Sequence, residues 1–294
     1  MEETRPESGA GPTALTPYWD RVANEYAARD PLGAVCYPAA PRWFNRFYAR
    51  FQVRAVERVL NTLPLAGARC LDVGCGSGRW SRWLAARGAK VVGIDPTPGM
   101  LETARRLSPG IELHRMSATD IALPPASFDL VLSVTVIQHL RPAEQARAAG
   151  AMCRMVKPGG MLFVLDLIDQ RDPGRLVFAR RPEEWIALYR AEGMELVRWM
   201  GQEYVPLIRA LTALVPSQRR RAAAGEDVAA PSVIEDAGRH PLVFAALWPV
   251  IQLSYPLELL CERLLPDAWG RHGAFLFRKR RHGDAGPSAS DGPA

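Results

Sequence analysis

The run Leu71-Asp72-Val73-Gly74-Cys75-Gly76-Ser77-Gly78 decides how the rest of the chain is read. An apolar strand runs into three glycines at alternate positions, and a helical stretch opens at Arg79. A plain strand-to-helix turn needs one glycine. Three imply a loop that takes positive φ and lets a ligand approach its backbone, beside the amide N–H groups of a helix N-terminus. The spacing is G-x-G-x-G and not the G-x-G-x-x-G of a dinucleotide fingerprint, with Asp72 two positions before the first glycine, which points away from NAD.

Outward from this loop, short apolar runs alternate with helical stretches, the pattern of a parallel sheet with crossover helices. Strands are predicted at 69–73, 90–95, 111–116, 128–134 and 161–167, with helices at 79–87, 100–107 and 142–155. The link near Leu123 to Pro125 carries two prolines and reads as a loop. A helix at 185–192, ended by Gly193, leads to a strand at 194–200, and a final strand is predicted at 274–278. Two amphipathic helices, 18–28 and 43–60, precede this core.

The segment 204–270 separates the last two strands and is too long for a structureless loop, so it is expected to be mostly helical and to cover the acceptor as a lid. Within it Phe244, Leu247, Trp248, Ile251 and Tyr255 recur at three- and four-residue steps as one apolar face, which Pro249 and Pro256 are predicted to kink or divide. The uncharged stretch 241–257 is just short of a typical membrane span and is the one place where a lipid contact is conceivable. The expected organisation is a tail at 1–15, a helical cap at 16–66, a core at 67–203 and 271–281, the insertion at 204–270 and a tail at 282–294.

The chain has 294 residues with 48% apolar and 23% charged, which fits a globular enzyme. The net charge of +6 is scattered and almost all arginine, Lys90, Lys157 and Lys279 being the only lysines, so no nucleic-acid partner is expected. Cys36, Cys70, Cys75, Cys153 and Cys261 form no C-x-x-C pair, which suggests neither a disulfide framework nor a metal site and fits a reducing, cytoplasmic setting. The N-terminus is acidic and polar, unlike a signal peptide. A monomer or homodimer is expected.

With Asp95 closing the second strand and Lys157-Pro158-Gly159-Gly160 before the fifth, the segment 69–169 resembles class I S-adenosylmethionine-dependent methyltransferases. It looks most like the small-molecule group that includes quinone-biosynthesis and natural-product methyltransferases. The resemblance implies an α/β, Rossmann-like, seven-stranded, mostly parallel sheet with an antiparallel last strand, N-terminal helices and S-adenosylmethionine as cofactor.

Carried over residue by residue, Gly74, Cys75, Gly76 and Gly78 would approach the methionine and ribose parts of that cofactor, and Asp72 would face the methionine amino group or serve as a turn acceptor. Asp95 would accept both ribose hydroxyls, because a carboxylate is an acceptor-only group with two oxygens. Pro96 and Met100 would lie near the adenine, although Met100 reads equally as core. Ser117 stands where many relatives carry an Asp facing the adenine amino group, so its hydroxyl and the backbone of Ala118 would share that task. Val134 would complete the cofactor site.

Beyond the fourth strand, Thr135 and His139 fall at the carboxyl edge where acceptors of such folds sit. His139 can take a proton near neutral pH and is the candidate catalytic base, or else a helix-edge histidine packed on Trp or Tyr. Tyr26, Arg180, Tyr204 and Trp248 are the further acceptor-binding candidates. Asp166 and Asp169, after the fifth strand, are further base candidates, although they read first as solvated loop carboxylates. The expected reaction is methyl transfer to an oxygen, nitrogen or carbon of a small molecule or peptide. Two rival readings are a nicotinamide-dependent oxidoreductase and a non-catalytic cofactor-binding protein at a lipid surface.

Overall fold

A computed structural model describes residues 16–38, 40–169, 177–204 and 241–281. The tails predicted at 1–15 and 282–294 and the 205–240 part of the insertion lie outside the described residues. Seven strands form one sheet: β1 (Arg69–Val73), β2 (Lys90–Asp95), β3 (Glu112–Arg115), β4 (Phe128–Val134), β5 (Val156–Leu167), β6 (Met194–Gln202) and β7 (His272–Lys279). Their order is β3-β2-β1-β4-β5-β7-β6. The first five run parallel, and β7 runs antiparallel to both β5 and β6. The order reverses between β1 and β4, which opens a crevice at the carboxyl ends of those strands.

Alternate residues of each strand go to opposite faces, and both faces are apolar because helices cover both. Leu71, Val73, Val131, Leu162, Val164, Phe275 and Phe277 share one core with α5 (Pro142–Met155) and α6 (Pro182–Arg190). Cys70, Leu130, Leu132, Phe163, Leu165, Ala274 and Leu276 share the other with α2 (Arg42–Leu60) and α3 (Arg79–Ala85). Proline opens both α5 and α6, and Glu144 and Glu184 reach back to the N–H groups of Arg141 and Arg181.

The first predicted helix is α1 (Thr16–Val22) followed by a π-turn, Ala23–Ala27. The small side chains Ala23 and Ala27 are buried there against α4 (Pro98–Leu107), where a Cβ on Gly99 would come within 2.9 Å of Ala23. Four strands also differ in their limits from expectation, β3 being one residue shorter at each end. Gly159, at φ +79°, and a register shift opposite Phe128 to Leu130 carry the Lys157-Pro158-Gly159-Gly160 run into β5 itself. At the other end of the sheet β6 and β7 are longer than predicted, because Gln202 and His272 still pair.

The described part of the insertion is one helix, α7 (Pro241–Leu264), which runs through Pro249 and Pro256 without being divided. Tertiary contacts hold it on both sides of the second proline. Ile251 is buried among Phe44, Phe47, Tyr48 and Phe51 of α2, Tyr255 lies over Phe47 and Phe51, and Arg54 and Arg58 pair with Glu262 at 2.7 and 2.9 Å. The partner of Ile251 and Tyr255 is therefore α2 of the N-terminal cap. Among the described residues no helix is long and apolar enough to cross a membrane.

Candidate functional site

The glycine loop is tied to β2 by its own amides. The N–H groups of Gly74 and Cys75 both donate to Ile94 O, at 2.8 and 2.9 Å, and Gly78 N–H donates to Cys75 O at 2.8 Å. Gly76 N–H donates to Asp95 Oδ2 at 2.9 Å. These donors are thus already committed, and the loop offers a ligand closeness instead of a row of N–H groups for a pyrophosphate. Glycine is required for that closeness at Gly74, which sits at φ +71° and where a Cβ would meet Val136 at 2.5 Å.

Asp95 is the polar centre of the crevice. Its Oδ1 accepts Thr97 N–H at 2.8 Å while Oδ2 accepts Gly76 N–H, so one carboxylate clips the end of β2 to the glycine loop. Burial raises its pKa against the opposing pull of those two amides. Each oxygen keeps lone-pair capacity for one more donor, which suits a vicinal diol. The residues present therefore fit a ribose-bearing cofactor: a cradle closed to side chains, next to a preorganised acceptor pair.

Asp72 lies beneath the loop and is only 1% exposed. Its Oδ2 accepts the Ser81 hydroxyl at 2.6 Å, and burial raises its pKa to about 7 against that bond. The structure thus places Asp72 as the acceptor for the first turns of α3. Cys75 is buried beside Gly93, and burial pushes its thiol well up. Pro96 is half-buried, and Met100 is buried with Val22, Ala23, Ala27 and Ala34 of the cap, half-buried Tyr26 packing against the same group. Ser117 Oγ lies 2.9 Å from Thr119 Oγ1 and accepts Thr119 N–H at 3.2 Å; Ala118 and Val134 are buried.

Where β4 leaves the sheet, Thr135 has φ +56°, uncommon for a β-branched residue, and its N–H donates to Leu165 O at 2.6 Å. His139 ends a short 3-10 turn and meets Trp19 of α1 edge to face, with ring centroids 5.3 Å apart. Arg180 turns to Gln145 Oε1 at 2.5 Å, tying the start of α6 to α5. Tyr204 is buried, with its N–H donating to Glu258 Oε1 at 2.6 Å and its hydroxyl to Pro266 O at 3.3 Å, so it seats α7. Trp248 is 49% exposed on α7, and the side chains of Phe244 and Leu247 lie outside the described residues.

Asp166 corrects an expectation. It is not a solvated loop carboxylate: it lies inside β5, paired with Gly273 of β7, and is fully buried. Its Oδ1 accepts Gln138 N–H at 3.1 Å, and burial raises its pKa well above the usual range. Asp169 is half-buried with its N–H on Arg271 O at 3.1 Å.

Sequence reasoning missed a second polar group at the same edge of the sheet. Glu203, just after β6, accepts the Tyr48 hydroxyl at 3.0 Å and lies 3.3 Å from Arg271 and 2.7 Å from His272 Nδ1. Tyr37 packs its ring on Tyr48 at 4.8 Å and accepts an Arg271 N–H at 3.4 Å. Burial pushes Glu203 up, but His272 and Arg271 outweigh it and hold the carboxyl below its ordinary value. The available signal was polar residues flanking the last two strands, visible only once the strand limits are known.

Comparison with known proteins agrees with the fold. Residues 71–164 match a methyltransferase domain family. A ubiquinone biosynthesis O-methyltransferase of Methylocella silvestris is 34% identical over 172 residues, 54% of this chain and 66% of that protein. Its counterpart in Xanthomonas euvesicatoria is 38% identical over 144 residues, 47% of this chain and 58% of that protein. The chain thus spans less than two thirds of the length of these relatives. Among solved structures, the 4+2 cyclase SpnF aligns with TM-score 0.52 at 20% identity, covering 91% of this chain and 93% of that one. An S-adenosylmethionine-dependent methyltransferase of Mesorhizobium loti aligns with TM-score 0.50 at 18% identity, covering 76% and 98%.

Proposed function

We propose that this chain, whose residues 71–164 match a methyltransferase domain family, is an S-adenosylmethionine-dependent methyltransferase of class I and methylates a ring hydroxyl of a small aromatic acceptor of the quinone-precursor kind. The observation that carries the cofactor part is the Asp95 carboxylate, clipped between Gly76 and Thr97 at the mouth of a loop that admits no side chain. Support for the acceptor part comes from relatives named ubiquinone biosynthesis O-methyltransferases, 34% and 38% identical over 54% and 47% of this chain.

When bound, S-adenosylmethionine supplies an electrophilic methyl on a sulfonium. The chain's part is positioning: Asp95 holds the ribose, the glycine loop fixes the methionine end, and Thr135 and the cap segment bound the space where the acceptor oxygen must line up opposite the departing sulfur. Such alignment supplies much of the rate in a displacement between two bound reactants. Val22, Ala23 and Ala27 of α1 and the π-turn are buried with Ala34 and Met100, which seats the cap on α4.

The test is incubation with methyl-labelled S-adenosylmethionine and catechol acids, with products read by mass spectrometry. Label on a ring oxygen supports the reading. Cofactor binding with no transfer to any hydroxyl would refute the acceptor assignment, and NAD binding in place of S-adenosylmethionine would refute the whole.

A further inference from the structure

The reading above leaves the buried group around Glu203 without a part. A charge taken out of water persists only when paired, and this carboxylate has three partners, Tyr48, Arg271 and His272. Its backbone is held at φ +60°, a conformation that side chains other than glycine rarely adopt and that collects at working sites. Beside it, Gln202 is buried with neither Nε2 nor Oε1 hydrogen-bonded. Gln202 and His272 are ladder partners, so their side chains stand on the same face of the sheet.

The position matters as much as the chemistry. His272 pairs with Leu167, the last residue of β5, and the carbonyl of the preceding Arg271 accepts the N–H groups of Ile168 and Asp169. The pair therefore stands at the carboxyl edge of the sheet, two strands from the end of β4, a span of about 10 Å that a substituted single ring can bridge. Tyr37 and Tyr48 are aromatic neighbours of the pair, and Arg271 is partly exposed beside it. His139, by contrast, spends one side of its ring on Trp19.

We propose that His272 is the base that deprotonates the acceptor hydroxyl, that Glu203 orients it through Nδ1, and that Gln202 binds the neighbouring oxygen of an acceptor with two vicinal ring oxygens. This rests on the methyl-transfer reading of the site. Nδ1 lies 2.7 Å from Glu203 Oε2 as a close ion-pair contact that is not aligned as a hydrogen bond in the ligand-free site, so a small turn of the ring completes it and leaves the other nitrogen, Nε2, for substrate, the arrangement in which a carboxylate holds the tautomer of a working histidine. The acceptor O–H proton passes to Nε2 while an oxygen lone pair forms the new C–O bond to the methyl carbon. The C–S bond breaks, its electron pair stays on sulfur as a neutral thioether, and the imidazolium then gives its proton to water. The charged or titratable groups facing His272 are Glu203 and Arg271 beside it, and Tyr37 and Tyr48 from the cap; Glu258 of α7 sits one residue beyond on Tyr204 N–H.

The experiment compares wild type, His272→Gln and Glu203→Gln on two probes, 3,4-dihydroxybenzoate, whose ring hydroxyls are protonated at neutral pH, and 4-nitrocatechol, which is largely ionised there. Calorimetry with S-adenosylmethionine should give Kd values within about twofold for all three proteins, because none of these groups belongs to the cofactor site. His272→Gln should lower kcat on dihydroxybenzoate by roughly 10²- to 10⁴-fold and remove the rising limb of its pH profile, but lower kcat on nitrocatechol less than about tenfold. Glu203→Gln should shift that limb and cost less. An equal loss on both probes, or an unchanged rate and pH profile, would overturn the assignment while leaving methyl transfer intact. If wild type binds cofactor and methylates neither probe, the broader reading falls and takes this one with it. Should His272→Gln lose cofactor binding through misfolding, the two-probe contrast in Glu203→Gln decides.

Discussion

Replacing Asp95 by alanine separates two tasks that one carboxylate performs. Without ligand it accepts Gly76 N–H at 2.9 Å and Thr97 N–H at 2.8 Å. Orphaning two buried amides costs about 1–3 kcal/mol each if water stays out. Two effects reduce that sum. The site is a crevice that water can enter, and burial raises the Asp95 pKa, so truncation also removes a charge that was held at some cost. The net expectation is a stability loss of about 1–3 kcal/mol. Cofactor binding should lose a further ~1–3 kcal/mol for the two ribose hydroxyls, roughly a 5- to 150-fold rise in Kd. Asp95→Asn keeps one carbonyl acceptor and should fall between wild type and alanine in both measurements. Urea unfolding of the ligand-free protein reads the first task and calorimetry with S-adenosylmethionine the second. Weakened binding with an unchanged unfolding midpoint would show that the amides do not depend on this carboxylate; lost stability with unchanged Kd would remove the ribose role.

Asp72 predicts a pH dependence. Its folded pKa, raised by burial to about 7, lies above the unfolded value of 3.8, so the native state holds the proton more tightly and stability falls as pH rises through that window. Asp72→Asn keeps an acceptor for Ser81 and should lose this slope, becoming more stable than wild type above pH 7; parallel urea curves from pH 5 to 8.5 would disprove it. Gly74→Ala should destabilise by about 2–4 kcal/mol through its positive φ and the clash with Val136, and Val136→Ala should recover the clash but not the φ penalty. Additivity of the two within about 0.5 kcal/mol would contradict the contact. His139→Ala and Trp19→Ala should be coupled by about 0.5–1.5 kcal/mol in thermal unfolding, as expected for rings 5.3 Å apart, and a coupling near zero would leave the contact without energetic weight.

The first five strands, the glycine loop and Asp95 were legible because each is written in local signals. A parallel strand buried on both faces must be a short apolar run, and a loop that excludes Cβ atoms must be glycine, so β1, β2 and β4 carry their limits in the residues themselves. What the loop's amides do was not legible. Gly74, Cys75 and Gly76 spend theirs on Ile94 and Asp95, a choice made by the register of β1 on β2.

Tertiary structure alone decided the rest. Whether Asp166 is solvated or buried depends on what packs around the end of β5, where β7 pairs alongside it and Gln138 N–H meets the carboxylate. Pro249 and Pro256 each remove a helix hydrogen bond, which in isolation breaks a helix, yet α7 persists because Ile251, Tyr255 and Glu262 are anchored on α2. Glu203 and His272 are separated by the whole insertion, and their polar neighbours Gln202 and Arg271 mark them only once the strand limits are known. Only the antiparallel register that sets Gln202 against His272 brings them within 2.7 Å, since a strand's side chains alternate faces and a slip of one residue would have pointed the imidazole to the opposite side of the sheet.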